Sequence, residues 1–308
     1  MKNAPVLVVG NSPNQLGNGK SSWSALIAEL RRISGMKSDG HQSKPFPLHF
    51  EEIRNRYLKN IRGATDQTFL NTAAQKLKEL EVNDVHRELM KLSVSDILTT
   101  NFDDCLERAT GSAKRDNFDT NESKYSLFRR WSVGNHYIWH VHGDLFHPTS
   151  IILGHDRYIE SCARIRRYID GSEGVRYSAY PEGLKARFKS PMVKIKPSEP
   201  HSWLDLLMTR DVHIAGLGMD FTEIDWWYLL SYKEKMGRSK DSWKRTWKRK
   251  LGGRRVVVHM FDDSEHDIMP RTEILRSFGV EVRQYKVRNK NYRPAWDSLL
   301  KVLQSEIS

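Results

Sequence analysis

The 308-residue sequence contains only two cysteines, Cys105 and Cys162. Two thiols exclude a disulfide framework and a four-cysteine zinc site, and they fit a reducing compartment. No apolar run approaches the length of a membrane span, so no membrane segment is expected. The N-terminus lacks the charged-then-apolar layout of a secretion signal, so a cytoplasmic location is expected. Internal repeats and low-complexity tracts are missing as well. Acidic residues are in deficit: 38 Asp and Glu against 50 Lys and Arg leave a net charge of +12. That excess fits a nucleic-acid partner, an anionic cofactor or a solvated surface. It is densest in "KRTWKRKLGGRR", residues 244–255, where Trp247 stands among the basic side chains. Cations with an aromatic would suit single-stranded nucleic acid through Lys244–Arg255. A solvated helix end breaking at Gly252-Gly253 is the plainer reading and is preferred.

A complete ATP phosphate loop is also missing. In "NQLGNGKS" the residues Gly19, Lys20 and Ser21 match the close of such a loop, but Asn14 stands where its first glycine belongs. Without that glycine the backbone cradle for phosphates is not supplied. Asp262 or Asp263 could act as the acidic partner of an ATPase, yet a broken motif leaves this reading disfavoured.

What is present is a series of apolar strands separated by helices. "PVLVVG", "SDILTT", "HYIWHVHGD", "SIILG", "DVHIAG", "RRVVVHMFDD" and "VEVRQYKV" have the composition of strands. Ser21 or Ser22 can cap a helix beginning near Trp23, with Leu26, Ile27 and Leu30 inward. Residues 34–48 look like a loop, and 49–92 are helical and charged, with Leu70, Leu77, Leu80 and Leu89 as core contacts. Helices are also expected after "NFDD", over "HDRYIESCARIRRYI", after "FTEID", between the last two strands, and at 294–306. Residues 171–200 show no clear period. The pattern predicts an α/β fold: a Rossmann-like, doubly wound, mostly parallel sheet. A single domain over 1–308 is expected, with a helical insertion at 34–94 and a poorly defined insertion at 160–205.

In such a sheet, ligands bind where strands give way to loops and helix N-termini. Three stretches have this form: "VVGNSPN", "LTTNFDD" and "IAGLGMDFTEID". With Gly10-Asn11, Thr99-Thr100-Asn101-Phe102-Asp103, His142-Gly143 and Gly216-Leu217-Gly218 in this order, residues 5–230 resemble the SIR2-like family, relatives of the sirtuins. The resemblance implies NAD on a Rossmann-like sheet. "GNSPN" departs from the family's glycine–alanine–glycine turn, which puts the cofactor contacts of that loop in doubt. No cysteine quartet exists to build the zinc ribbon of deacylating sirtuins. "NHYIWHVHGDLFHPTSIILGHDRY" is similar instead to SIR2-like proteins of bacterial anti-phage defence, in which NAD is hydrolysed outright.

The resemblance places Asn101 and His142 as catalytic residues. It places Gly10, Asn11, Ser12, Thr100, Asp103, Gly216, Gly218 and Asp225 against the cofactor. The Asn101 amide can orient water or a ribose hydroxyl, although asparagine is also a common helix cap. Asp103 can hold the nicotinamide amide or offset positive charge, or simply favour a helix's first turn. His142 can act as general base, with Gly143 leaving room for a ligand. Glu223 or Asp225 can bond ribose hydroxyls, and Trp23 can line the pocket. A competing constellation is metal binding by His136, His140, His142 and Asp144, which share a strand face if the strand is continuous. The ligand spacing is not that of a known motif, and no metal is expected.

The expected activity is therefore NAD glycohydrolysis in anti-phage defence, with NAD as substrate. The rivals are a sirtuin-like deacylase or ADP-ribosyl transferase, and a binding subunit without turnover. The resemblance further implies restraint by homo-oligomerisation, a partner ATPase or a phage-derived activator.

Overall fold

A computed structural model describes residues 4–16, 23–36, 44–111, 113–117, 122, 124–170, 202–238, 255–263 and 267–307. Lys20, Ser21 and Ser22, the period-free stretch 171–200 and residues 244–254 of the basic run fall outside the described residues, as does the side chain of Trp23.

One eight-stranded sheet organises the chain. Its strands are β1 (Val6–Val9), β2 (Asp96–Thr99), β3 (Lys114–Asn117), β4 (Arg129–Val133), β5 (His136–His140), β6 (Val212–Ala215), β7 (Val256–Asp262) and β8 (Glu281–Lys286). The order is β3-β4-β5-β2-β1-β6-β7-β8. All pairs from β5 to β8 are parallel, whereas β4 pairs antiparallel with both β3 and β5. Leaving out the β3–β4 ribbon, the six parallel strands follow the doubly wound dinucleotide order, which reverses direction between β1 and β6.

Burial explains why these strands were visible in the sequence. Every residue of β1, β2 and β6 is buried, and β1 is apolar throughout, while Asp96, Thr99 and His213 are buried polar residues of the other two. Alternate residues serve opposite faces. Val6, Val8, Leu98, Ile214 and Val258 pack under Trp203, Trp226 and Tyr168 of the covering helices. Leu7, Val9, Ile97 and Ala215 face the other way, against Val85, Leu89, Trp296 and Leu303.

Helix α1 (Trp23–Ile33) follows the first loop, and α2 (Phe46–Asn60), α3 (Asp66–Leu77) and α4 (Asp84–Leu89) lead to β2. Residues 46–48, expected as loop, already belong to α2. Pro45 and Pro47 bracket its first residue, where a missing N–H costs little. Helices α1 to α3 form a third core, with Leu30, Ile53 and Phe69 packed against Phe102, Leu145, Ile151 and Leu153. One expectation is corrected. "SIILG" is not a strand: Ser150 closes a short 3-10 turn, and Ile151–Leu153 run on without a ladder, buried beneath the helical layer. The helix after "NFDD", α5, is only Cys105–Arg108. Helix α6 (His155–Asp170) begins after Gly154, so residues 160–170 are helical.

Candidate active site

The loops after β1, β2, β5, β6 and β7 open on the same sheet edge, as parallel strands require. Between them lies a cavity of about 400 Å³. Of the predicted residues, Asn11, Ser12, Thr100, His142, Gly216 and Gly218 line it. Gly10, Asn101, Asp103 and Asp225 do not; they stand behind its wall and hold it in place.

Gly10 is there because β1 and β6 converge. Its N–H donates to the Ala215 carbonyl at 2.9 Å, and the Ser12 N–H donates to the Gly216 carbonyl at 3.0 Å. Asn11 and Asp103 are bound through Asn14. The Asn14 amide donates to Asn11 Oδ1 and to Asp103 Oδ2, each at 2.8 Å. Asp103 Oδ1 meanwhile accepts the Cys105 N–H at the start of α5, at 3.0 Å. Asp103 thus ties the β2 loop to the β1 loop and holds the start of α5. The residue that breaks the ATP-loop motif, Asn14, is the bracket that joins the β1 and β2 loops.

His86 completes this bracket. Its Nδ1 accepts the Asn83 N–H at 3.2 Å, so its proton sits on Nε2, which faces Asn14 Oδ1 at 3.0 Å. Burial pushes His86 down to about 4 against the opposing charge of Asp103. Burial, with the neighbouring His213, pushes His259 down to about 3. Both folded values lie below the unfolded value of about 6.5. Their stabilising contribution is therefore complete above pH ~6.5 and is lost as pH falls toward the folded values. For His86 the expected loss at pH 5 is about 1–2 kcal/mol. A pH series of thermal melts should show Tm falling below pH 6.5, with a shallower slope in His86→Gln.

Asn101 donates its Nδ2 to the Gly10 carbonyl at 3.1 Å, while its Oδ1 is buried without a protein partner. Its own carbonyl accepts from His140 Nδ1 at 2.7 Å, and His140 Nε2 meets Glu107 at 2.7 Å. With acceptors at both ring nitrogens, His140 is an imidazolium. Burial works against that charge, but Glu107 raises the pKa to about 9.

The three-histidine constellation is not assembled. His136 lies between the Val94 and Met90 carbonyls, His140 holds Asn101 and Glu107, and His142 lies beyond the end of β5. Asp144 pairs instead with Arg129 at 3.0 Å and His147 at 2.8 Å.

His142 is fixed on the cavity wall by the Ile152 N–H, which donates to its carbonyl at 2.9 Å. Its Nε2 bonds Asp225 Oδ2 at 2.7 Å, and both residues are 2% exposed. Asp225 belongs to the first turn of the helix Ile224–Arg238, which follows the β6 loop. Burial opposes a charge on His142, but the Asp225 carboxylate, its hydrogen bond and Glu223 outweigh it and raise the pKa. The Tyr158 ring stands edge-on to the imidazole, with centroids 5.5 Å apart. Tyr158 also reaches Glu223 Oε2 at 3.4 Å. Asp225, expected at a ribose hydroxyl, is instead the partner that orients His142. One ligand atom each of His142, Glu223 and Asp225 falls within 4.8 Å of the others. That spacing would admit one cation, but the direct His142–Asp225 hydrogen bond satisfies both groups without it.

Sequence reasoning missed Tyr158, Arg271 and the His86–Asn14 bracket. Arg271 lines the cavity and donates to the Gly218 carbonyl at 2.7 Å, placing a cation at the rim. It sits in an ordinary amphipathic helix, Met269–Ser277, where nothing local distinguishes it from a surface arginine.

The sheet order and the cavity at its reversal point are those of a Rossmann-like, doubly wound α/β fold. Residues 95–194 match the family model of the SIR2-like domain. No curated protein matches the chain. Among the described residues, no helix is long and apolar enough to cross a membrane.

Proposed function

We propose that the protein is an NAD glycohydrolase that releases nicotinamide and ADP-ribose. The observation that carries this reading is the buried His142–Asp225 pair on the wall of the reversal-point cavity. Nicotinamide in NAD is cationic and departs neutral, so no acid has to protonate it. What remains is to place water at the ribose carbon and to stabilise an oxocarbenium-like transition state. The cavity wall carries acidic side chains at Asp220, Glu223 and Asp263, suited to developing positive charge. His142, oriented by Asp225, addresses a ribose hydroxyl or the water as a base. Asn101, behind the wall, supports the β1 loop through the Gly10 carbonyl, and its unpartnered Oδ1 is an acceptor that a ligand or water reaching past the wall would meet. Asn11, Ser12 and Thr100 face the cofactor from the β1 and β2 loops, and Gly216, Gly218 and Arg271 face it from the β6 side.

By its resemblance, the enzyme serves anti-phage defence in the cytoplasm by depleting NAD. Such an activity needs restraint, through homo-oligomerisation, a partner ATPase or a phage-derived activator. The test is nicotinamide release from NAD by purified protein and by Asn101→Ala and His142→Ala, each also assayed for NAD binding. Turnover lost in both variants with NAD still bound supports the reading. Turnover retained in both removes the site assignment.

A further inference from the structure

The cavity holds more carboxylates than His142 requires, and they are not equivalent. Asp220 Oδ1 already accepts the Thr222 N–H at 2.9 Å and its hydroxyl at 2.7 Å. Asp263 Oδ2 accepts the Tyr292 hydroxyl at 2.6 Å. Asp225 is spent on His142 and on the Trp226 N–H. The histidine His259 has both nitrogens engaged, by His213 at 3.2 Å and the Tyr285 hydroxyl at 2.9 Å. Glu223 stands apart. It lines the cavity, and its contact is one long hydrogen bond from Tyr158 at 3.4 Å.

We propose that Glu223 is the catalytic carboxylate that takes the proton of the attacking water. The proposal rests on the glycohydrolase reading and divides its work. The bond between the ribose carbon and the nicotinamide nitrogen breaks, and its electron pair leaves with neutral nicotinamide. The water oxygen bonds to that carbon, and the proton it sheds moves to Glu223 before passing to solvent. His142 Nε2 is occupied by Asp225, so the imidazole orients a ribose hydroxyl while Glu223 serves the water.

Charge supports this division. An ionised Glu223 sets a negative charge on the cavity wall, opposite the single positive charge of the reacting ribose. The groups facing Glu223 are His142, Asp225, Asp220 and Tyr158. Burial raises Glu223 to about 7, with Asp225 and Asp220 acting in the same direction and His142 against. Turnover should therefore rise with pH through about 7 as the carboxylate forms.

The test is steady-state kinetics of Glu223→Gln beside wild type, from pH 5.5 to 9, with NAD affinity and Tm measured on both. We expect kcat to fall by about 10²-fold or more, KM to stay within about threefold, and the limb near pH 7 to vanish. Glu223→Ala should regain turnover with added formate, a small carboxylate that fills the vacated place; a purely structural glutamate would show no such rescue. An active wild type with Glu223→Gln within about threefold of it, or with an unmoved limb, overturns the role of Glu223 alone. Wild-type turnover that is lost to a chelator and restored by Zn²⁺ makes Glu223 a metal ligand and overturns it too. A wild type that binds NAD yet never releases nicotinamide overturns the glycohydrolase reading, and this proposal with it.

Discussion

Asp225→Asn is expected to lower nicotinamide release by about 10²–10⁴-fold while NAD still binds. Asparagine preserves the shape and can still meet His142 Nε2, so the wall of the cavity survives. The charge does not survive. Asp225 is what outweighs burial and raises the pKa of His142, so the variant's imidazole should titrate lower. A folded pKa raised by a partner means that the pair stabilises the protein below the unfolded value of about 6.5. That contribution is lost as pH rises through the folded value, and the variant should lack this alkaline loss. The kinetic signature is a fall in kcat at near-constant NAD affinity, because Asp225 does not line the cavity. His142→Ala should lose as much turnover, and the double variant little more, since the two residues act as one unit. Turnover of Asp225→Asn within about threefold of wild type would remove the pair from the mechanism.

The fold was legible where burial is complete. β1, β2 and β6 are buried on both faces and put apolar residues on each, and such short runs bounded by glycine or by polar loops read as central parallel strands. The antiparallel ribbon was not legible. β3 is "KRDN", and β4 is "RRWSV", whose two arginines are buried by pairing and stacking. Arg129 meets Asp144, and the Arg130 guanidinium lies 3.7 Å from the Tyr137 ring centre. Neither contact has a local sequence signal. "SIILG" misled for the opposite reason: its apolar residues answer to the helical layer above the loops and not to neighbouring strands.

The site divides in the same way. The loops that carry it follow the ends of legible strands, so Asn11, Thr100, His142 and Gly216 could be placed on one edge. Pairings between distant loops could not. His142 and Asp225 are 83 positions apart, and Asn14 and Asp103 are 89 apart. Nothing in either local stretch says that its carboxylate has a partner. The sequence offers Glu223 or Asp225 for ribose hydroxyls and Asp103 for the nicotinamide amide or a positive charge; it does not show that Asp225 bonds His142 or that Asp103 bonds Asn14. The most informative residue proved to be the one that spoils a motif. Asn14 cannot serve an ATP cradle, yet its amide and carbonyl join Asn11, Asp103 and His86.

Two of the four motif glycines, Gly10 and Gly143, follow the same logic and carry the largest stability prediction. Gly143 was expected to leave room for a ligand, but it does not line the cavity. It adopts φ +91°, and a Cβ there would lie 2.2 Å from the Ser150 carbonyl oxygen. Gly10 has no such dihedral demand; a Cβ there would lie 2.5 Å from both the Gly216 oxygen and Leu217 Cα. In each case the obstacle is backbone, which cannot swing aside as a flexible side chain can. Gly143→Ala combines a collision with a left-handed backbone and should destabilise the protein by about 3 kcal/mol or more. Gly10→Ala has the collision alone and should cost about 1–3 kcal/mol, but at the point where the β1 and β6 loops approach each other. That variant should therefore lose NAD affinity in proportion greater than its loss of stability, because Asn11, Ser12 and Gly216 move with it. Denaturant melts and NAD titration of both variants, run side by side, separate the two effects. If Gly10→Ala binds NAD as wild type does, the close approach of the β1 and β6 loops does not set the shape of the cavity.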